Sequence, residues 1–491
     1  MELPDVKDLL VTIESTLRDA MFCLERTAQG ICFVVDQNDI LRGILTDGDI
    51  RRAFLRGCSL ATRTQEVMQT EYVSLPVSSK PMEIQKLLNH KIRHIPLTDD
   101  NGKVVDYACF HRIHKIPVMS PVFNGNELKY VSECIRTNWI SSQGSYINKF
   151  EEVFRKYIGS EYSLAVSNGT TALHLAILAL GIGPGDEVII PDLTFAASIN
   201  SVIYSGATPV LVDIDKETWT ICPKSVEKAI TKRTRAIMPV HLYGHPCDMD
   251  SLLEIAKMHH LFVVEDSAES LGSKYKGQMT GSLGDTSAFS FFGNKTITTG
   301  EGGMVVFKTK EAYEKAAVLR DHGMSKNKRY WHDCVGYNYR MTNLQAAVGV
   351  AQMERVEETV DAKRALAKKY NDLFRKTEQV DTPPEMKWAQ NSFWLYTLLL
   401  KPEFEKHRHV IMKNMLLNGI DSRRVFYPLH CMPIYEKYRL KGCDYEVSKD
   451  ISNRGMSLPS SKELSMDQIN LIHRVFSDII AQLKTLESCM P

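Results

Sequence analysis

The chain has 491 residues, more than one hydrophobic core accommodates, because single cores seldom grow past roughly 250–300 residues. Hydrophobic residues make up 44% and charged residues 24%, the balance of an ordinary globular protein. A formal net charge of +1 excludes any general electrostatic basis for binding nucleic acid or an anionic membrane.

The opening Met1-Glu2-Leu3-Pro4-Asp5 has no basic stretch followed by an apolar core, so no secretory leader is expected. The 11 cysteines form no Cys-x-x-Cys pair or regular framework, which predicts free thiols, no metal site and a cytoplasmic protein. The most apolar long stretch, residues 172–182, is too short to cross a bilayer.

Residues 1–117 read as a separate domain. Ile31-Cys32-Phe33-Val34-Val35-Asp36 predicts a strand and Gln37-Asn38-Asp39 a turn, and residues 41–50 predict a second strand running into a helix. A weaker echo follows about 62 residues later, in Arg93-His94-Ile95-Pro96-Leu97-Thr98-Asp99, Asn101-Gly102 and residues 104–113. This internal repeat resembles a tandem pair of CBS domains, modules that commonly bind adenosine nucleotides between the repeats. The resemblance implies that Thr46 and Asp49, in Gly-x-h-Thr-x-x-Asp, contact ribose. The second copy carries Cys109 and Arg112 at those places, so at most one site keeps its usual ribose ligands. A structural or dimerising appendage without ligand is the alternative.

Ile116-Pro117-Val118-Met119-Ser120-Pro121 predicts the junction. Beyond it, short apolar strands at 188–190, 209–212 and 236–240 alternate with helical patterns at 171–180 and 251–259. That alternation predicts an α/β unit over 118–365, with a mostly parallel sheet and helices on both faces. Residues 366–491 predict a smaller α+β part.

Within the α/β unit, Leu261-Phe262-Val263-Val264-Glu265-Asp266 reads as a buried strand ending in a carboxylate. Ligands of open α/β sheets collect at such strand ends. Further on, Ser290-Phe291-Phe292-Gly293-Asn294-Lys295 places a single lysine before the Thr/Gly-rich turn Thr296-Ile297-Thr298-Thr299-Gly300-Glu301-Gly302-Gly303. One lysine among 60 Lys+Arg means little alone. Paired with Asp266 it is the minimal equipment for pyridoxal phosphate, where lysine holds the aldehyde and aspartate the pyridinium nitrogen. Ser167-Asn168-Gly169-Thr170-Thr171 leads from a strand into a helix, whose N-terminus suits a phosphate.

Residues 290–303, together with Glu265-Asp266-Ser267-Ala268-Glu269-Ser270-Leu271-Gly272, resemble the DegT/DnrJ/EryC1/StrS sugar aminotransferases, and the likeness runs from about residue 118 to the C-terminus. The resemblance implies the aspartate-aminotransferase-like (type I) fold, with Lys295 as the Schiff-base lysine and Gly169, Thr170 and Ser290 on the cofactor phosphate. It places Phe195 on the pyridine ring, Asp266 at its nitrogen and Glu269 near its hydroxyl, where many relatives have glutamine. Asn338, in Gly336-Tyr337-Asn338-Tyr339-Arg340, is implied to reach the phosphate of a neighbouring subunit, hence a homodimer with shared active sites. Higher assembly through the N-terminal repeat is a further expectation. Tyr427 and His430, in Tyr427-Pro428-Leu429-His430, are candidates for the substrate pocket, and Arg340 for either a phosphate ligand or an ion-pair partner.

The likeness leans toward members that aminate GDP-4-keto-6-deoxymannose, with L-glutamate as donor, for surface polysaccharide or O-antigen. A UDP-linked 4-keto sugar, or a nucleotide-sensing regulator on a transferase scaffold, are the alternatives. Dehydratases on this scaffold carry histidine at the Schiff-base position, and Lys295 argues against them.

Overall fold

The computed structural model describes residues 4–79, 83–84, 87–88, 92–109 and 116–488. Arg112, named above for the second repeat, lies outside them. The chain divides into two compact units, Met1–Ile116 with Lys413–Ile420, and Pro117–Met412 with Asp421–Pro491.

In the first unit the repeat is a repeat of sheets. Strands β1 (Leu10–Thr12), β2 (Ile31–Val35) and β3 (Leu41–Thr46) form one, and β4 (Leu75–Pro76), β5 (His94–Thr98) and β6 (Val104–Cys109) the other. In each, the first pair is parallel and the second antiparallel. The two hairpins also turn alike. Asp36 Oδ1 accepts from the amides of Asn38 and Ile40, and Asp99 Oδ1 from those of Asn101 and Lys103. Asparagine-type side-chain turns of this kind offer the backbone a local partner and so fix the reversal. The segment 413–420 joins this unit, where the Ile116 amide donates to Gly419 O at 2.8 Å. The expectation of one C-terminal part over 366–491 had no signal for that excursion.

The second unit is built on a seven-stranded sheet ordered β7-β15-β14-β11-β10-β8-β9. Its strands are β7 (Tyr162–Val166), β8 (Glu187–Pro191), β9 (Thr208–Val212), β10 (Thr234–Ile237), β11 (Phe262–Asp266), β14 (Thr286–Ser290) and β15 (Gly303–Phe307). Only β15 runs antiparallel to its neighbours. Side chains alternate between the faces of a strand, and here both faces are covered. Val188 and Ile190 belong to the core beneath helix Gly169–Ala179, while Ile189 between them joins the core with helix Met249–Met258. That is why these strands read as continuous apolar runs.

A short antiparallel sheet, β12 (Lys274–Tyr275), β13 (Gln278–Met279) and β17 (Ala389–Gln390), follows β11. A four-stranded antiparallel sheet ordered β16-β18-β20-β19 combines β16 (Val380–Asp381), β18 (Tyr396–Leu400), β19 (Arg423–Arg424) and β20 (Gly455–Leu458). Among the described residues no helix is long and apolar enough to cross a membrane.

Candidate active site

The carboxyl ends of β11 and β14 deliver the chemistry. At the end of β11, Glu265 and Asp266 point to opposite faces. Glu265 is fully buried and accepts from His241 Nε2 at 2.9 Å and from the amides of Gly281, Leu283 and Gly284 at 2.7–2.8 Å. Those bonds fix the strand end. Asp266, on the other face, accepts from Ser198 Oγ at 2.7 Å and from the Ala268 amide at 3.2 Å. Ser198 lies on helix Ala196–Tyr204 and also meets Thr194 Oγ1 at 2.8 Å.

Lys295 follows β14 on a turn closed by its own amide to Phe292 O at 2.9 Å. Trp394 Nε1 donates to Asn294 O at 2.7 Å, and the Lys295 amine lies 3.9 Å from the Trp394 ring centroid. Its nearest charge is Glu269 Oε1 at 3.8 Å, whose other oxygen accepts from the Tyr243 amide at 2.8 Å. Burial pulls the amine below the ordinary lysine value, against the pull of Glu269 and Asp266. Burial also raises Asp266, against its Ser198 bond, and pushes Glu269 up to about 7. Burial thus disfavours the charged form of the amine and of both carboxylates near it.

Tyr243 holds a left-handed backbone, φ 53°, which costs a non-glycine residue roughly 1–2 kcal/mol. Its ring is stacked between Trp394, at 6.0 Å, and Phe426, at 5.7 Å, and the Phe426 ring lies 5.7 Å from Phe195. Gly244 beside it, at φ 95°, leaves no room for a β-carbon, which would stand 2.7 Å from Asn391 Oδ1 and Ser392 Oγ. Phe195 itself is 59% exposed at the mouth of the site.

Helix Gly169–Ala179 begins beside β14. Asn168 caps it, its Oδ1 accepting from the Thr171 amide at 2.9 Å. A β-carbon on Gly169 would stand 2.7 Å from Ser290 Cβ, so the helix start and the strand end touch only because this residue is glycine. The free amides at the helix start and the Ser290 hydroxyl form a cradle for an anion. The Ser167 amide donates to Tyr339 O at 2.9 Å, which brings the 338–340 segment alongside.

The family model for the DegT/DnrJ/EryC1/StrS aminotransferase family matches residues 122–477, and CBS domain models match 4–56 and 65–107. The chain belongs to the DegT/DnrJ/EryC1/StrS aminotransferase family. It is 48% identical to a GDP-perosamine synthase of Escherichia coli O157:H7 over 358 residues, 72% of this chain and 95% of that one. A GDP-perosamine synthase of Caulobacter vibrioides is 46% identical over 367 residues, 74% and 98% of the two chains. Among solved structures, Spr1654 of Streptococcus pneumoniae, a sugar aminotransferase in its PMP-form, superposes with a TM-score of 0.72 at 28% identity, covering 76% of this chain and all of that one. The protein is thus a sugar aminotransferase that depends on pyridoxal phosphate.

The residues present fit that cofactor. The glycine-lined cradle suits its phosphate, the buried Asp266 a cationic ring nitrogen, and the Lys295 amine its aldehyde. The structure brings Lys295, Asp266, Glu269, Ser290, Gly169, Thr170 and Phe195 to one end of the sheet. Asn338 is exposed, and its Oδ1 accepts from Arg340 Nε at 3.3 Å. Arg340 is ion-paired with Asp321 at 2.8 Å and lines a cavity of about 620 Å³ that does not include Lys295. His430 is 6% exposed, with Nδ1 2.7 Å from Asp192 and its ring stacked 4.4 Å from Tyr445, so it braces Asp192 rather than facing open space. Tyr427 is exposed.

In the first unit, Thr46 caps helix Asp47–Leu55 and lines a cavity of about 690 Å³ with Gln29, Asp47, Tyr72, Arg93 and His94. Asp49 does not line it. Its carboxylate is 4% exposed and taken up by Thr46 Oγ1 at 2.6 Å, Arg52 at 2.7 Å and Gln69 at 2.9 Å. Sequence reasoning missed Ser198, Trp394 and Asp192. Only Ser198 carried a signal, as a polar residue one helical turn after Phe195.

Proposed function

We propose that this aminotransferase converts a nucleotide-linked 4-keto-6-deoxyhexose, GDP-4-keto-6-deoxy-D-mannose, into GDP-perosamine with L-glutamate as donor, for surface polysaccharide. The observation that carries the chemistry is the buried Lys295 amine, 3.8 Å from Glu269 at the strand end that also bears Asp266. The choice of GDP sugar rests on the relatives of 48% and 46% identity named for that reaction.

Bound pyridoxal phosphate supplies an aldehyde for amine exchange and a ring that takes up electrons from the reacting carbon. The protein does the rest. Lys295 anchors the cofactor and, once displaced by the donor amine, moves the proton to and from the reacting carbon. Burial keeps the amine readily deprotonated, and Glu269 is the adjacent group able to receive its proton. Asp266, oriented by Ser198, keeps positive charge on the ring nitrogen. Gly169, Thr170 and Ser290 hold the phosphate, and Phe195 covers the ring. Asn338 completes the cradle of a second copy in a homodimer. In the N-terminal unit we assign the Thr46-lined cavity to a nucleotide that tunes activity, with Asp49 bracing Thr46 rather than touching ribose. Residues 118–365 and 366–491 act as the large and small parts of the catalytic unit.

Side-by-side assays of GDP- and UDP-linked 4-keto-6-deoxyhexoses with glutamate test this reading. Turnover of the GDP sugar with release of 2-oxoglutarate is expected. Preference for the UDP sugar would reassign the substrate, and turnover of neither would overturn it.

A further inference from the structure

His174 is a buried polar group that the chemistry at Lys295 does not use. It lies just over one turn beyond Gly169 on the helix that starts at the anion cradle, and it is the only titratable side chain in that helix. Burial holds its pKa below the ordinary histidine value, against the Tyr204 backbone, so the ring is neutral at neutral pH. Its Nε2 has no well-aligned partner among the described residues. Leaving a polar atom so enclosed costs stability, which an apolar residue at this place would avoid. What the histidine gains is on its other side, where Nδ1 shares a hydrogen bond of 3.0 Å with the Tyr339 hydroxyl. The ring also meets Tyr337 edge-on at 5.1 Å and Tyr339 at 5.9 Å.

Those two tyrosines flank Asn338. The backbone of the segment is tied down on both edges. The amides of Tyr337 and Tyr339 donate to Leu319 O at 2.7 Å and Arg320 O at 3.1 Å, and the Tyr339 carbonyl accepts from the Ser167 amide at 2.9 Å. These bonds fix the course of the segment, and its side chains fix how it is turned about its own axis. Neighbouring side chains of an extended chain point to opposite sides. Tyr337 and Tyr339 accordingly stack on each other at 4.8 Å and face His174, while Asn338 between them is exposed. Asn338 is thus turned away from the helix of its own copy. Arg340, on the same side, donates from Nε to Asn338 Oδ1 at 3.3 Å, so the NH2 end is the one from which a phosphate can accept.

We infer that His174 is a positioning residue that acts across the subunit boundary: by holding Tyr339 it aims Asn338 at the cofactor phosphate of the second copy. This rests on the shared-site homodimer proposed above. The test measures cofactor affinity of the full-length protein, by equilibrium dialysis and by absorption of the lysine-bound cofactor, in wild type, His174→Phe, Tyr339→Phe and Asn338→Ala. Affinity about three- to tenfold weaker is expected for the first two variants, as for one lost hydrogen bond, and about tenfold or more weaker for Asn338→Ala. Tyr339→Phe removes only a hydroxyl and serves where His174→Phe does not fold. Each variant is then paired, through two purification tags, with a Lys295→Ala subunit. Such a mixed dimer has one lysine-bearing site, whose Asn338 comes from the Lys295→Ala subunit with its His174 and Tyr339 intact. That site should bind cofactor with wild-type affinity. A defect that persists in the mixed dimer assigns His174 to the cradle of its own copy and overturns the inference. Wild-type affinity in both folded His174→Phe and Tyr339→Phe overturns it alone. Wild-type affinity in Asn338→Ala overturns it together with the shared site.

Discussion

Replacing Glu269 by glutamine tests whether burial at the lysine site governs its protons. In the fold the carboxyl is fully enclosed and rises from 4.5 to about 7, equivalent to about 3 kcal/mol against the charged form. That rise is what remains after the attraction of Lys295, 3.8 Å away, and the Tyr243 amide bond have already lowered it, so burial is the larger effect. The sign follows from which state holds the proton. Between pH 4.5 and 7 the folded protein keeps the Glu269 proton and the unfolded chain has lost it, so this group's contribution is full below pH 4.5 and fades as pH rises through 7. Glutamine cannot titrate and keeps one hydrogen-bond acceptor for the Tyr243 amide. Urea unfolding of cofactor-stripped wild type and Glu269→Gln at half-unit steps from pH 4.5 to 8 should therefore show the variant gaining on wild type by up to about 3 kcal/mol. A stability difference that stays flat over that range, or that moves in favour of wild type, would refute the placement of a protonated carboxyl beside Lys295.

Lys295→Ala should retain cofactor without the covalent attachment and fall by at least about a thousandfold in turnover, read from absorption after dialysis and from 2-oxoglutarate release; near-normal turnover would remove Lys295 from the mechanism. Gly169→Ala forces a β-carbon to within 2.7 Å of Ser290 Cβ, so cofactor affinity should drop about tenfold or more by equilibrium dialysis while the far-ultraviolet spectrum is kept. Asp192→Ala strips His430 of two bonds, at 2.8 and 2.7 Å, and should lower stability by about 2–4 kcal/mol in urea unfolding. Deleting residues 1–116 should leave turnover within a few-fold but reduce the melting temperature, because Lys413–Ile420 folds with the removed unit; loss of cofactor binding in the shortened protein would contradict that.

The alternation of apolar runs and helical periods exposed the doubly covered sheet because Val188, Ile189 and Ile190 fill two cores at once. Asp266 was legible for a related reason, as a carboxylate terminating such a run. The antiparallel β15 was not, since its residues are as apolar as those of the parallel strands in the same sheet. Glu269 was named only through the family resemblance, and its proximity to Lys295 depends on the turn after β14. Trp394 lies about a hundred residues beyond the lysine and has no period or motif of its own. Asp49 illustrates the opposite case. The Thr46–Asp49 pair, implied by the resemblance to contact ribose, also has the spacing of a helix capping box; the capping bonds take one carboxylate oxygen, and Arg52 and Gln69 take the other.

The contact between Gly169 and Ser290 has a consequence for molecular recognition. In the proposed site Ser290 touches the cofactor's phosphate and Lys295 its aldehyde, and both belong to one short stretch where β14 runs into its turn. That stretch acts as a gauge. Its backbone sets the separation of the two attachment points, and the glycine seats the cradle at one end of it. A vitamer lacking phosphate would engage one end and miss the other, so discrimination between phosphorylated and free pyridoxal is built into the spacing of a single strand end.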